Sequence, residues 1–345
     1  MKKVKFIRIS IIVSLIVLLC NQGFSQSILD NTQLRFFTHS EFSSSLDSAK
    51  KRTSVVEVGD IDMLVTAQVT DKLSVLGEII FTIDDGLEID RMMLKYQFND
   101  YFHLTLGKQY SPIGLWNNTF YHQARVLTPT IDHPVIIADA DDFGVLENKD
   151  VGVQAGGDNI SDVRFGYRLF LGSGHRGDFG NEPRLGKVTY NLFIEPIDNF
   201  RFCVSGENER LAAGSNTSRG VLVEDNTINL MNGSVMYMGG TSNFEMAAEY
   251  FLVTSRSATN GRKSFNGFFA YSGYKFNKVV PYVMYNKIDY QPGQEVYTRN
   301  NFKSWTLGVR YKLASLSVLK LETQFLEAED FKKLNRLELM WAVGF

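Results

Sequence analysis

Gly172-Ser173-Gly174-His175-Arg176-Gly177 has the G-x-G-x-x-G spacing that lets a backbone close around a pyrophosphate. That chemistry needs a strand before the glycines and a helix after them. Here no helical period follows and Pro183 comes soon after, so the segment reads as a loop. Asp139-Ala140-Asp141-Asp142-Phe143-Gly144 partly echoes a calcium loop, but Phe143 stands at a ligand position and Asp150 replaces the bidentate Glu. His39, His103, His122, His133 and His175 show no zinc spacing. Serine, histidine and aspartate are available, yet no nucleophile elbow or paired spacing joins them into a triad. Cys20 and Cys203 lie too far apart in the chain to be a disulfide framework or a thiolate metal site. These residues predict no enzyme, no metal centre and no cofactor.

What remains is charge. Between residues 111 and 150, Asp132, Asp139, Asp141, Asp142, Glu147 and Asp150 face only Arg125 and Lys149 as opposing charges. The chain as a whole has a formal charge of -2, and no basic block follows its first residues, which excludes nucleic acid as a partner.

The elements that must position these charges are strands. The N-terminus reads as an export signal: Lys2, Lys3, Lys5 and Arg8, then an apolar run from Ile11 to Leu19, then Gly23 and Ser25 ahead of a cut before Gln26. This divides the chain into a signal segment, 1–25, and a mature domain, 26–345. Removing four basic residues and no acidic one takes the formal charge from -2 to -6. No later segment is apolar for the roughly 18 residues a spanning helix needs. Instead the pattern alternates. Leu73, Val75, Ile79, Phe81 and Ile83 interleave with Lys72, Ser74, Glu78 and Thr82; Trp305, Leu307, Val309, Tyr311 and Leu313 interleave with Thr306, Gly308, Arg310 and Lys312. One face of each segment meets an apolar medium and the other meets water.

Sixteen such strands can be placed, with tight joins such as Asn99-Asp100 and Asn277-Lys278 alternating with long connections near 45–53, 111–150, 172–186, 212–226, 255–264 and 289–301. The apolar set is rich in Phe and Tyr, while the other face carries glycines, serines and asparagines mixed with charges. An all-β transmembrane antiparallel barrel of about 16 strands, with a lipid-facing outside and a wet inside, meets these requirements. A soluble sandwich would place long charged residues across its polar face, and no blade-length repeat supports a propeller.

The chain ends on Leu337, Leu339, Trp341, Val343 and Phe345 on one face. This resembles the terminal strand that outer-membrane barrels of Gram-negative bacteria present to their assembly machinery. The stretch Leu106-Gly107-Lys108-Gln109-Tyr110-Ser111-Pro112-Ile113-Gly114-Leu115-Trp116-Asn117 is similar to the "GK…PxGxxN" stretch of porins in the phosphate-selective-like group. The arginine-rich loop of that group is missing, so its anion specificity does not carry over. The resemblance implies a cell outer membrane location, a water-filled barrel for passive diffusion of small hydrophilic solutes, and a homotrimer. Its partners would be outer-membrane lipids, the solutes and the barrel assembly machinery. It also implies that the third long connection, 111–150, folds into the lumen.

That connection is too apolar for disorder, with Ile113, Leu115, Trp116, Val135, Ile136 and Ile137. Folded inward, Arg125, Asp132, Asp139, Asp141 and Asp142 would form the constriction. By parity, Arg35, Arg91, Lys95, Arg164, Arg168 and Arg310 line the wall, with Lys312, Lys320 and Arg336, and with Glu78, Glu245, Glu249, Glu322 and Glu338 among the acids. An acidic loop facing basic wall residues would set a transverse field and tune selectivity. Trp341, Val343 and Phe345 would carry the assembly signal. The other reading is a non-conducting structural or adhesive barrel whose external loops bind a partner.

Overall fold

The computed structural model describes residues 31–47, 51–82, 86–120, 124–137, 144–146, 149–174, 186–217, 220–239, 242–293, 296–297, 301–329 and 333–345. The signal segment 1–25, Glu147, and the acidic residues Asp139, Asp141 and Asp142 lie outside the described residues. β1 (Thr32–Asp47) pairs in turn with both segments of β2, Arg52–Val58 and Ile61–Gln68. These two segments make one barrel strand, broken at Gly59 and Asp60. β3 (Leu73–Thr82), β4 (Gly86–Asn99), β5 (Phe102–Tyr110), β6 (Lys149–Ile160), β7 (Phe165–Gly172) and β8 (Lys187–Ile197) follow. After them come β9 (Phe200–Leu211), β10 (Asn226–Tyr237), β11 (Phe244–Ser257) and β12 (Gly261–Tyr274). The last four are β13 (Val279–Asp289), β14 (Phe302–Ala314), β15 (Ser317–Ala328) and β16 (Leu334–Gly344). Each pairs antiparallel with the next, and β16 returns to β1 from Phe37↔Gly344 to Asp47↔Leu334. The barrel is closed and has sixteen strands.

Outward and inward sets separate by parity. On β14, Trp305, Leu307, Val309, Tyr311 and Leu313 are exposed, whereas Ser304 and Thr306 are buried. Aromatic side chains gather on the outer surface near the tight turns, with Tyr96 against Phe98, Phe200 against Phe202 and Tyr237, and Tyr274 against Phe276. A second outer group, Phe268, Tyr285 and Trp305, sits further along the strands. An apolar band with aromatic edges is what a lipid-facing wall requires. Among the described residues no helix is long and apolar enough to cross a membrane.

Three local departures from the expected pattern have physical causes. The connections expected at 45–53 and 255–264 are shorter, because β1 and β11 run on to Asp47 and Ser257. Beyond the apolar band both faces of a strand are polar, so the ladder continues where alternation no longer marks it. Arg164 is not on the wall: residues 161–164 form a turn in which Ser161 (φ 64°) and Arg164 (φ 47°) are left-handed, and β7 starts at Phe165. Arg164 there holds Asp198 of the neighbouring turn at 2.6 Å. On β4 the register shifts between the pairs Glu78↔Arg91 and Ile79↔Ile89. The extra residue, Asp90, lies buried beside Arg91 while Leu87, Ile89, Met92 and Leu94 all stay exposed outward.

The inner face is not uniformly polar. Phe251 and Val253 on β11, Phe265, Phe269 and Tyr271 on β12, and Tyr282, Met284 and Ile288 on β13 point inward and are buried. These strands are apolar on both faces because the connection after β5 packs against them.

Candidate constriction loop and lumen wall

The connection 111–148 begins with the stretch that carries the porin resemblance, and its residue types have local structural causes. Gly107 has φ 131°, and a Cβ there would sit 1.9 Å from the Met92 carbonyl oxygen. Gly114 has φ 69°, and its Cβ would meet the Glu249 carboxylate at 2.1 Å. Only glycine combines that backbone with that approach. The Gly114 N–H donates to Ser205 Oγ at 2.9 Å. Asn117 Nδ2 closes the turn on the Ser111 carbonyl at 2.7 Å, and Asn191 Nδ2 on β8 reaches the Pro112 carbonyl at 2.7 Å. The short helix α1 (Trp116–Phe120) follows.

Ile113, Trp116, Ile136 and Ile137 are fully buried against the apolar inner face of β11–β13. Trp116 meets Phe269 edge-on at 5.4 Å and Tyr271 at 5.9 Å. Burying side chains of this size stabilises by about 1.5–3 kcal/mol each. Polar wall groups then pin the loop backbone. Glu249 accepts the N–H groups of Leu115 (2.9 Å) and Trp116 (2.5 Å). Glu322 accepts the Ile131 N–H at 2.5 Å and the Tyr282 hydroxyl at 2.6 Å. Lys320 Nζ donates to the carbonyls of Arg125 (2.6 Å) and Thr130 (2.8 Å) and to Thr128 Oγ1 (2.7 Å). Arg310 reaches the Pro129 carbonyl at 2.8 Å while its other nitrogen holds Glu245 at 2.8 Å. Lys320 and Glu322 are completely buried, so each would carry a desolvation cost of several kcal/mol without these partners. The loop is held against one wall and cannot swing away without stranding them.

Among the expected constriction residues, Asp132 faces a wall of mixed charge, near Glu41, Glu322 and Glu338: its carboxylate takes hydrogen bonds from Arg336 and Gln324, both at 3.1 Å. Arg336 is shared with Glu338 at 2.7 Å. Arg125 stays within the loop, near the Ile131 carbonyl (3.4 Å) and His133 Nε2 (3.3 Å). On the wall, Arg91 pairs with Glu78 and lies 4.3 Å over the Tyr110 ring. Arg168 pairs with Asp158 at 2.6 Å and lies 5.3 Å over Phe193. Lys95 has Asp158 and Arg168 as its charged neighbours. Arg35 is exposed near the tight-turn end and donates to Gln33 at 3.3 Å. The wall cations therefore arrive largely paired with carboxylates, and no continuous basic strip forms from the six expected residues.

Two groups escape a reading by strand parity. Asp90 is turned inward by the bulge, and it joins Lys149 and Tyr110 Oη (3.1 Å) to the Glu78–Arg91 pair. The signal was in the sequence, where the apolar positions change from odd (Leu87, Ile89) to even (Met92, Leu94) across Asp90. Glu249, Lys320 and Glu322 were expected as hydrated lumen charges, but the loop covers them. Thr306, which parity points inward toward water, is likewise only 2% exposed.

At the C-terminus, Phe345 exchanges two backbone hydrogen bonds with Phe36, each 2.9 Å, and their rings stack at 5.6 Å. Val343 pairs with Thr38, and Trp341 Nε1 donates to Ser317 Oγ at 3.0 Å. These residues close the barrel seam.

No protein-family model and no curated protein sequence matches the chain. Solved structures do. The anion-selective porin from Comamonas acidovorans superposes with a TM-score of 0.68 at 10% identity, covering 91% of this chain and 99% of that one. OmpF of Salmonella typhi, in complex with daunomycin, gives 0.63 at 11% identity, covering 92% and 99%. In-vitro folded OmpT, an outer membrane protein of Vibrio cholerae in its trimer form, gives 0.60 at 15% identity, covering 92% and 100%. At such low identities the likeness speaks for fold: the chain shares the closed sixteen-stranded antiparallel barrel of these outer-membrane proteins.

Proposed function

We propose that this chain is an outer-membrane porin that passes small hydrophilic solutes or ions by passive diffusion. The observation that carries this reading is the loop 111–148, pinned to one inner wall of a sixteen-stranded barrel by Glu249, Arg310, Lys320 and Glu322. A barrel of this size leaves an aqueous channel unless something fills it, and a loop fixed to one side narrows the lumen in a defined place. The opposite wall keeps mixed charge, with Arg91, Lys95 and Arg168 beside Glu78 and Asp158. Such a wall suits water and small solutes of both signs and does not carry phosphate specificity. Export through cleavage of 1–25, residence in the outer membrane and assembly as a homotrimer belong to the same proposal, supported by the porin-type fold.

The test is single-channel recording of the refolded mature chain in planar bilayers. Stepwise, ohmic conductance with modest ion selectivity is expected. Asp132→Asn should move the reversal potential in a salt gradient toward anion selectivity with little change in conductance. A folded barrel without conductance would transfer the case to a structural or adhesive role.

A further inference from the structure

On the tight-turn side of the pinned loop lies a cavity of about 450 Å³, bounded by Thr119, Phe120 and residues 126–129 of the loop and by the inner faces of β9, β10, β11, β14 and β15. Its lining reaches the turn residues Asn199, Gly239 and Ser315, so it opens toward that end of the barrel. Two features set it apart from an ordinary hydrated vestibule. One side is apolar: Leu127 of the loop is 46% exposed into it, and Met238 and Val318 lie beside it. An aliphatic side chain exposed on a cavity wall offers contact area to an apolar group. The other side is cationic, with Arg201, Arg310 and Lys312. Arg310 is neutralised by Glu245. Arg201 spends its Nε on Glu195 at 2.6 Å, and its side chain remains 44% exposed. Lys312 makes no ion pair with any described residue, so the lining carries an uncompensated positive charge.

We infer that this cavity is a binding site for small organic monoanions with an apolar body, of the aryl-carboxylate class. The carboxylate would lie between Lys312 and Arg201, and the ring would lie on Leu127, Met238 and Val318. The volume falls within the range of about 300–1,000 Å³ typical of small-molecule sites, which combine apolar walls with a few placed polar groups. The inference deepens the porin reading by naming a solute class, and it rests on that reading for its biological sense.

The test is fluorine NMR titration of the refolded mature chain in a zwitterionic detergent, which reads binding whether or not the barrel conducts. 4-Fluorophenylacetate is the probe, with 4-fluorophenethylammonium as the opposite-charge control and acetate as competitor. Saturable binding of the anion is expected, without saturable binding of the cation and without displacement by equimolar acetate. Lys312→Gln should weaken it by about tenfold, as loss of one partly screened ion pair would, and Leu127→Ser several-fold. Lys303→Gln, on the outer face, should leave it unchanged. Equal binding of cation and anion would overturn the inference, as would undiminished binding in both Lys312→Gln and Leu127→Ser. Failure here with normal conductance would leave the porin reading standing; binding without conductance would remove the channel and keep the site.

Discussion

Gly114 shows how much a single position can decide. Its left-handed backbone and the 2.1 Å approach to Glu249 both exclude a side chain. Gly114→Ala should cost about 1–3 kcal/mol and loosen the loop, through strain and displacement of the Glu249 carboxylate from the Leu115 and Trp116 amides. Accelerated proteolysis within 111–148 would check this, with Gly233→Ala, which meets nothing within 4 Å, as the control. Asp62 is the reverse case. It is 1% exposed, neither carboxylate oxygen takes a hydrogen bond from a donor group among the described residues, and the carboxylate of Glu78 acts on it most strongly of its charged neighbours. Removing that repulsion while keeping the shape, Asp62→Asn should raise thermal stability in detergent by about 1–2 kcal/mol. A lower unfolding temperature would show that the charge has a partner.

At the scale of elements, strand direction and loop length set the orientation. The turns at 100–101 and 275–278 lie at one end and the connections 212–225 and 290–301 at the other. A tag inserted at Gly214 should be reachable on intact cells, and one at Asp100 only after permeabilisation. The first of those connections is tied down just before β10. Glu224 accepts hydrogen bonds from the Thr259 N–H at 3.0 Å and its hydroxyl at 3.1 Å. Hydrogen bonds from Ser257 and Thr259 hold its carboxyl below the usual range. A depressed value means the tie is complete above the ordinary carboxylate range and is lost as pH falls through the lowered value. Glu224→Gln should therefore mimic acid at neutral pH, and faster proteinase cleavage within 212–225 is the expected readout.

For the whole molecule, the barrel is a partition between lipid and lumen, and one residue of parity decides which side a charge meets. Leu307 points outward and is half exposed on the apolar band. Leu307→Arg should cost about 2–4 kcal/mol near the bilayer midplane and impair folding into vesicles. Lys312, on the inner face of the same strand, should tolerate exchange for Arg without loss. Equal folding yields for Leu307→Arg and the parent chain would refute the lipid-facing assignment. The seam between β16 and β1 joins the two ends of the sheet and so closes the barrel. Deleting Phe345 removes two backbone hydrogen bonds and a ring stack there, so slower folding and less heat-resistant barrel on gels are expected.

Much of this was readable before any fold was known. A strand that separates lipid from water must alternate, so all sixteen strands announce themselves in order, and the aromatic rims and terminal Phe follow from the same partition. The stretch around Gly114 marked the inward loop. Two things were not readable, because each depends on what packs against a residue from elsewhere in the chain. Alternation tells which face a charge is on and says nothing of what covers that face. Lys320 and Glu322 thus looked like hydrated lumen charges until residues 125–131 were laid over them, nearly 200 positions away in sequence. The inward aromatics of β11–β13 made those strands apolar on both faces for the same reason. Two local backbone features are a separate matter: the bulge at Asp90, which the change of apolar parity did signal, and the left-handed turn at Arg164 moved charges by one residue, which in a two-sided wall is enough to change their medium. The sequence alone determined the partition of the barrel between two solvents; tertiary structure decided which lumen charges still meet water, because that depends on contacts between residues the chain keeps far apart.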